Sequence, residues 1–142
     1  MNGSLSVAWR ARALAACATL PPLVSIMSFV RLAALVGRHP ARPNAAGPDD
    51  VVLSGYVARV LRRLPPPWRY TCLRRGIVLY YLLRKADRDA RLHIGVRRDA
   101  EGAFVAHAWL TRRGVLLLEP AANQADQYRV IASFPEGDPA TP

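Results

Sequence analysis

A chain of 142 residues holds enough material for one modest hydrophobic core and not for two. Lysine and arginine total 20 against 10 acidic residues, a formal net charge of +10 that is nearly all arginine. Two cysteines, Cys17 and Cys72, are too few for the disulfide scaffold of a small secreted domain, and a reducing cytoplasm is the simpler setting for them. The basic balance suits an acidic partner, whether nucleic acid, acidic peptide or membrane surface, but it also follows from a GC-rich genome. The arginines are scattered in pairs such as Arg62-Arg63 and Arg112-Arg113 and form no tail of like charge.

Residues 1–48 contain no acidic side chain, and Ala13 to Val30 carry no charge. Arg10 and Arg12 ahead of an alanine-rich run imitate a signal peptide. Against that, Pro21-Pro22 interrupts the run, and each proline removes a helix donor. A membrane span needs about 20 unbroken apolar residues. We therefore expect two short packed helices and no stable membrane insertion, with Leu23, Ile26, Met27, Val30 and Ala34 along one apolar face. His39 to Pro48 reads as a loop. Asp49 or Asp50 then caps a helix from Val51 to about Leu64, with Val52, Tyr56, Val60 and Leu64 on its inner face. Pro65-Pro66-Pro67 ends it as a stiff connector.

From Tyr70 to Arg84 the pattern is again helical, with Leu73, Ile77, Tyr80, Tyr81 and Leu83 forming a broad apolar face. Cys72 falls in the first turn, where unpaired N–H groups and the helix dipole favour a thiolate, helped by Arg69, Arg74 and Arg75. After Asp89 the period becomes two. Arg91–Arg97, Ala103–Leu110, Val115–Leu118 and Tyr128–Phe134 read as antiparallel strands, with Asp99 to Gly102 and Thr111 to Gly114 as turns. Pro135 to Pro142 reads as a frayed tail. Three segments result: 1–48, apolar helices and a loop; 49–134, a catalytic core; 135–142, a tail.

The chemistry concentrates between Trp68 and Pro120. A three-residue loop, Arg112-Arg113-Gly114, would set Thr111 against Val115 and His107 against Glu119, close enough for the carboxylate to hold the imidazole. A two-residue loop would turn Glu119 to the other face. With His107 as base, Cys72 becomes a nucleophile, Glu119 orients the imidazole, and the Cys72 N–H is one expected oxyanion donor. Trp68 and Trp109 are candidate substrate-binding residues. Singly, each feature has a plainer reading. A lone helical cysteine is usually a small core hydrophobe, a strand histidine is often structural, and a carboxylate before proline is often an exposed turn residue. His39 and His93 lack Cys or acidic neighbours at metal-ligand spacing, so no metal is expected, and no cofactor motif is present. Cys17 reads as core packing.

The ordered string Trp68…Cys72-Leu73-Arg74-Arg75, Leu82-Leu83-Arg84, Leu92-His93-Ile94-Gly95-Val96, Ala106-His107-Ala108-Trp109-Leu110, Gly114, Glu119-Pro120 and Tyr128-Arg129-Val130 resembles the lasso-peptide biosynthesis B protein family. The likeness spans about Val51 to Phe134. It implies a transglutaminase-like, papain-like α+β fold in which N-terminal helices and a Cys-bearing central helix pack on a small antiparallel sheet. It also implies a cytoplasmic cysteine protease that removes the leader from a lasso-peptide precursor on the way to a peptide antibiotic, with Cys72 as nucleophile, His107 as base and Glu119 in the third position. The length resembles the stand-alone protease half of a split system. The implied partners are the precursor peptide, a separate leader-binding protein (a RiPP recognition element) and a lasso cyclase, with no nucleic acid. Two positions depart from the family pattern: Thr111 stands where an acidic residue is frequent, and Glu119 where the third member is often Asp. The alternatives are a transglutaminase-like acyltransferase and a non-catalytic basic scaffold or nucleic-acid-binding domain.

Overall fold

The computed structural model describes residues 4–38, 47–66, 71–86, 88–117 and 125–135. Its centre is the helix that bears Cys72. Four helices come first, α1 (Val7–Ile26), α2 (Phe29–Gly37), α3 (Asp50–Arg63) and α4 (Cys72–Lys85). Strands β1 (Ala90–Arg98), β2 (Phe104–Arg112), β3 (Val115–Leu117) and β4 (Arg129–Phe134) follow, with a short 3-10 turn at Ala125–Gln127. The sheet is antiparallel in the order β3-β2-β1-β4. The result is the expected α+β architecture of helices on a small antiparallel sheet.

α4 is central because it has no broad polar face to present to water. Gly76 to Tyr80, Leu82 and Leu83 are all buried, and the helix packs on α1, α2, α3, β1 and β2. Gly76 permits the close approach: a Cβ there would meet Leu92 Cδ1 at 3.3 Å and the Ala108 Cβ at 3.4 Å. Leu92, Ala108 and Leu110 thus form the face of the sheet beneath α4. One apolar cluster runs from Leu5 through α4 to Phe134.

The N-terminal helices differ from expectation in two ways. α1 continues through Pro21 and Pro22 to Ile26, so the prolines do not divide it. Burial of Leu20 and Pro21 against the core offsets the missing donors, an instance of tertiary packing overriding local preference. The break comes instead at Ser28, whose hydroxyl caps α2 by accepting from Arg31 N. That break resets the helical phase. Ile26 and Val30 are exposed, and the buried set is Trp9, Ala13, Ala16, Cys17 and Leu20 in α1 with Leu32, Ala33 and Val36 in α2. In α3 the capping residue is Asp49, which accepts from Val51 N and Val52 N. Its inner face is Leu53, Ser54, Val57 and Leu61, one residue round from the predicted stripe, which is half-buried. Asp50, in its first turn, pairs with Arg88 at 3.2 Å and ties α3 to the approach to β1.

The β2–β3 connection is also tighter than a three-residue loop. Arg112 pairs with Val115 and Thr111 with Leu116, which leaves Arg113-Gly114 as a two-residue turn. Both have positive φ, 52° and 78°, the requirement of a type I′ hairpin turn whose twist matches the strands. The register that would set His107 against Glu119 therefore does not form at this turn. Glu119 itself lies outside the described residues, as do Trp68, Arg69, His39 and the tail beyond Pro135.

Candidate active site

Cys72 is the first residue of α4 and is half-buried. Thr71, in extended conformation, caps the helix: its hydroxyl accepts from Arg74 N at 3.2 Å and its carbonyl accepts from Arg75 N at 2.9 Å. The two remaining donors of the first turn, the N–H groups of Cys72 and Leu73, have no acceptor among the described residues. A thiol on the residue that carries one of these N–H groups sits beside a ready oxyanion site. Arg75, expected to lend charge to the thiol, instead turns inward, where its Nη2 donates to Ser54 Oγ at 3.2 Å between α3 and α4.

His107 is buried in the middle of β2, opposite Gly95 of β1. Alternation along β2 gives Ala108 to α4 and turns His107 and Trp109 to the opposite face of the sheet. There the two rings stack at 5.9 Å and 18°, and Tyr128 closes on His107 at 5.1 Å. Trp109 lies across Gly95, where a Cβ would come within 2.7 Å of the indole and 2.9 Å of the Tyr128 Cβ. Only glycine leaves space for the tryptophan at this crossing. The Arg97 guanidinium stands over the Tyr128 ring at 5.1 Å.

The structure thus brings His107 and Trp109 together but places Cys72 on the helix that packs against the opposite face of the same strand, so the expected Cys72–His107 pair is not assembled on one face of the sheet. Cys72 lies one helical turn before Gly76, on the side of α4 that meets β2. No bond joins Cys72 to His107 among the described residues.

His93 belongs to the same face; its partners are distant in the chain, so local pattern assigns it no role beyond a place in the first strand. Its Nδ1 lies 2.7 Å from Ser133 Oγ on β4, its Nε2 lies 2.7 Å from Thr111 Oγ1 on β2, and its ring stacks on Trp109 at 5.7 Å and 27°. Burial first, then the Arg91 charge, lowers its pKa and keeps the ring neutral. A β-bulge assembles this group. Ser133 and Tyr128 are five residues apart and would face opposite ways in a regular strand. Ile94 pairs with Ala132 and Gly95 with Val130, so Ile131 is extra and both side chains reach the His107 face. No signal short of strand register reveals this.

Among the described residues no three His, Cys, Asp or Glu side chains gather where they could hold a metal ion. Cys17 is fully buried in α1, and burial pushes its thiol up to about 11.

A capped, buried helix opening on a cysteine, packed on an antiparallel sheet that carries a buried histidine, defines a scaffold for thiol-based acyl chemistry. The chain belongs to the transglutaminase-like superfamily, whose family model matches residues 9–133. That membership points to a cysteine-protease-like or acyltransferase-like function. Neither the curated proteins nor the solved structures yielded a significant match.

Proposed function

We propose that this protein is a cysteine protease that removes the leader peptide from a lasso-peptide precursor, acting with a separate leader-binding protein. The observation that carries the reading is Cys72 at the first position of the buried helix in a transglutaminase-like chain. The ordered motif string from Trp68 to Val130 supports the narrower assignment.

In this reaction His107 takes the proton of Cys72, and the thiolate attacks the carbonyl of the leader–core bond. The Cys72 and Leu73 N–H groups receive the oxyanion. His107 then protonates the leaving amine of the core peptide, and water, deprotonated by His107, releases the leader from the acyl-enzyme. The family pattern makes Glu119 the third member, although the two-residue turn at Arg113-Gly114 does not set it opposite His107. Trp68 offers flat apolar surface to the substrate, while Trp109, only 6% exposed, backs the imidazole. The freed core passes to a macrocyclase that closes an isopeptide ring.

The test is mass spectrometry of a candidate precursor incubated with the leader-binding protein and either wild type or Cys72→Ala. Cleavage at one bond by wild type and a loss of at least about 1000-fold in the variant are expected. Full-rate cleavage by the variant removes the mechanism. An amine adduct at the cleavage site, in place of a free acid, would assign the enzyme to the acyltransferases of the superfamily.

A further inference from the structure

Three aromatic side chains lie in a row on the face of the sheet turned from α4: His93, Trp109 and His107. Successive centroids are 5.7 and 5.9 Å apart, with interplanar angles of only 27° and 18°, so the tilt of one ring constrains the next. The far end of the row is anchored unusually well. Each ring nitrogen of His93 has a hydroxyl at 2.7 Å, from Ser133 on one neighbouring strand and Thr111 on the other. Hydroxyls both donate and accept, so either neutral tautomer is satisfied and the ring can neither flip nor slide without losing a bond. Below the row, Gly95 holds Trp109 close to the sheet.

We infer that His93 is a positioning residue for His107: clamped between two strands by Thr111 and Ser133, it presses Trp109 against the His107 imidazole and sets the direction in which that ring faces. The inference rests on the reading of His107 as the base for Cys72. A phenylalanine could fill the same space but could not be held in plane by hydrogen bonds, which is the reason an imidazole stands there.

Alkylation of Cys72 by iodoacetamide near neutral pH, read by peptide mass spectrometry, reports the influence of the base without any peptide substrate. His107→Ala and His93→Ala should each slow it by about tenfold or more, the scale of loss when a reacting group is misplaced by a fraction of an ångström to one ångström. His93→Phe, which restores the stack without the clamp, should recover only part of that loss, and Thr111→Val with Ser133→Ala, which keeps the imidazole but frees it, should likewise fall between His93→Ala and wild type. Circular dichroism verifies that each variant is folded. A slow His107→Ala beside a wild-type rate in His93→Ala would overturn the inference and leave the catalytic reading standing. Wild-type rates in both would overturn the two together. If His93→Ala does not fold, the Thr111→Val, Ser133→Ala pair decides, and a wild-type rate there rejects the clamp.

Discussion

Cys17 and Cys72 are the same side chain in two settings, and the setting decides the chemistry. Cys17 has apolar neighbours on every side, and with its thiol raised to about 11 it stays protonated near neutral pH. A protonated, buried thiol is a poor nucleophile. Cys72, half-buried at a helix start, is accessible. Iodoacetamide should therefore label Cys72 and spare Cys17 in the folded chain. Labelling Cys17 first would show that α1 does not pack on α4 as described. Tyr80 makes a second residue-scale case. Its hydroxyl is buried with no hydrogen-bond partner among the described residues, and burial raises its pKa. An unsatisfied buried polar group costs about 1–3 kcal/mol. Tyr80→Phe should stabilise the protein, by about 1 kcal/mol or roughly 4 °C in melting temperature, measured by thermal denaturation. A lower melting temperature would mean that the hydroxyl has a partner.

At the scale of elements, α4 and the β1–β2 pair do different jobs. α4 supplies the candidate nucleophile, with two backbone donors that have no acceptor among the described residues, and approaches the sheet at Gly76. β1 and β2 supply the histidine and the aromatic floor around it, and the approach there is permitted by Gly95. Gly95→Ala would bring a methyl group to 2.7 Å from the Trp109 ring, so the indole must move. Overpacking of this kind costs about 1–3 kcal/mol. The expected result is a folded protein of lowered melting temperature in which precursor cleavage falls about tenfold or more, because Trp109 no longer braces His107. Unchanged cleavage alongside lowered stability would separate the aromatic floor from catalysis. Strand positions to within one or two residues, and the Asp49-Asp50 pair as the source of the α3 cap, are readable from local pattern. The register of β2 on β3 is not, since Arg113 gives no sign in the sequence that it adopts positive φ beside Gly114. The bulge at Ile131 was equally silent, because an extra residue in a strand leaves composition unchanged.

The whole molecule is held by one apolar cluster, and the N-terminal helices contribute to it as fully as the sheet does. Among the described residues no helix is long and apolar enough to cross a membrane: α1 has the length, but Arg10 and Arg12 lie in its first half and its buried side chains face α3 and α4. The positive charge is spread over the surface and partly engaged, as with Arg88 on Asp50 and Arg75 on Ser54. It forms no single basic stripe in the sequence.

The sequence by itself determined the class of the protein. Helical periodicity around Cys72 and the change to period two after Asp89 were enough for an α+β class, because each is a local pattern written within a few residues; the thiol-enzyme reading needed the longer ordered motif string that resembles a known family. Tertiary structure decided what lies beside what. It carried α1 through Pro21-Pro22, since burial outweighed two missing donors, and it turned the inner face of α3 by one residue. It also gathered His93, Thr111, Ser133, Trp109 and Tyr128 around His107. Those residues come from three strands and one bulge, and pairing across a sheet depends on register, a property of two segments at once that neither segment encodes alone.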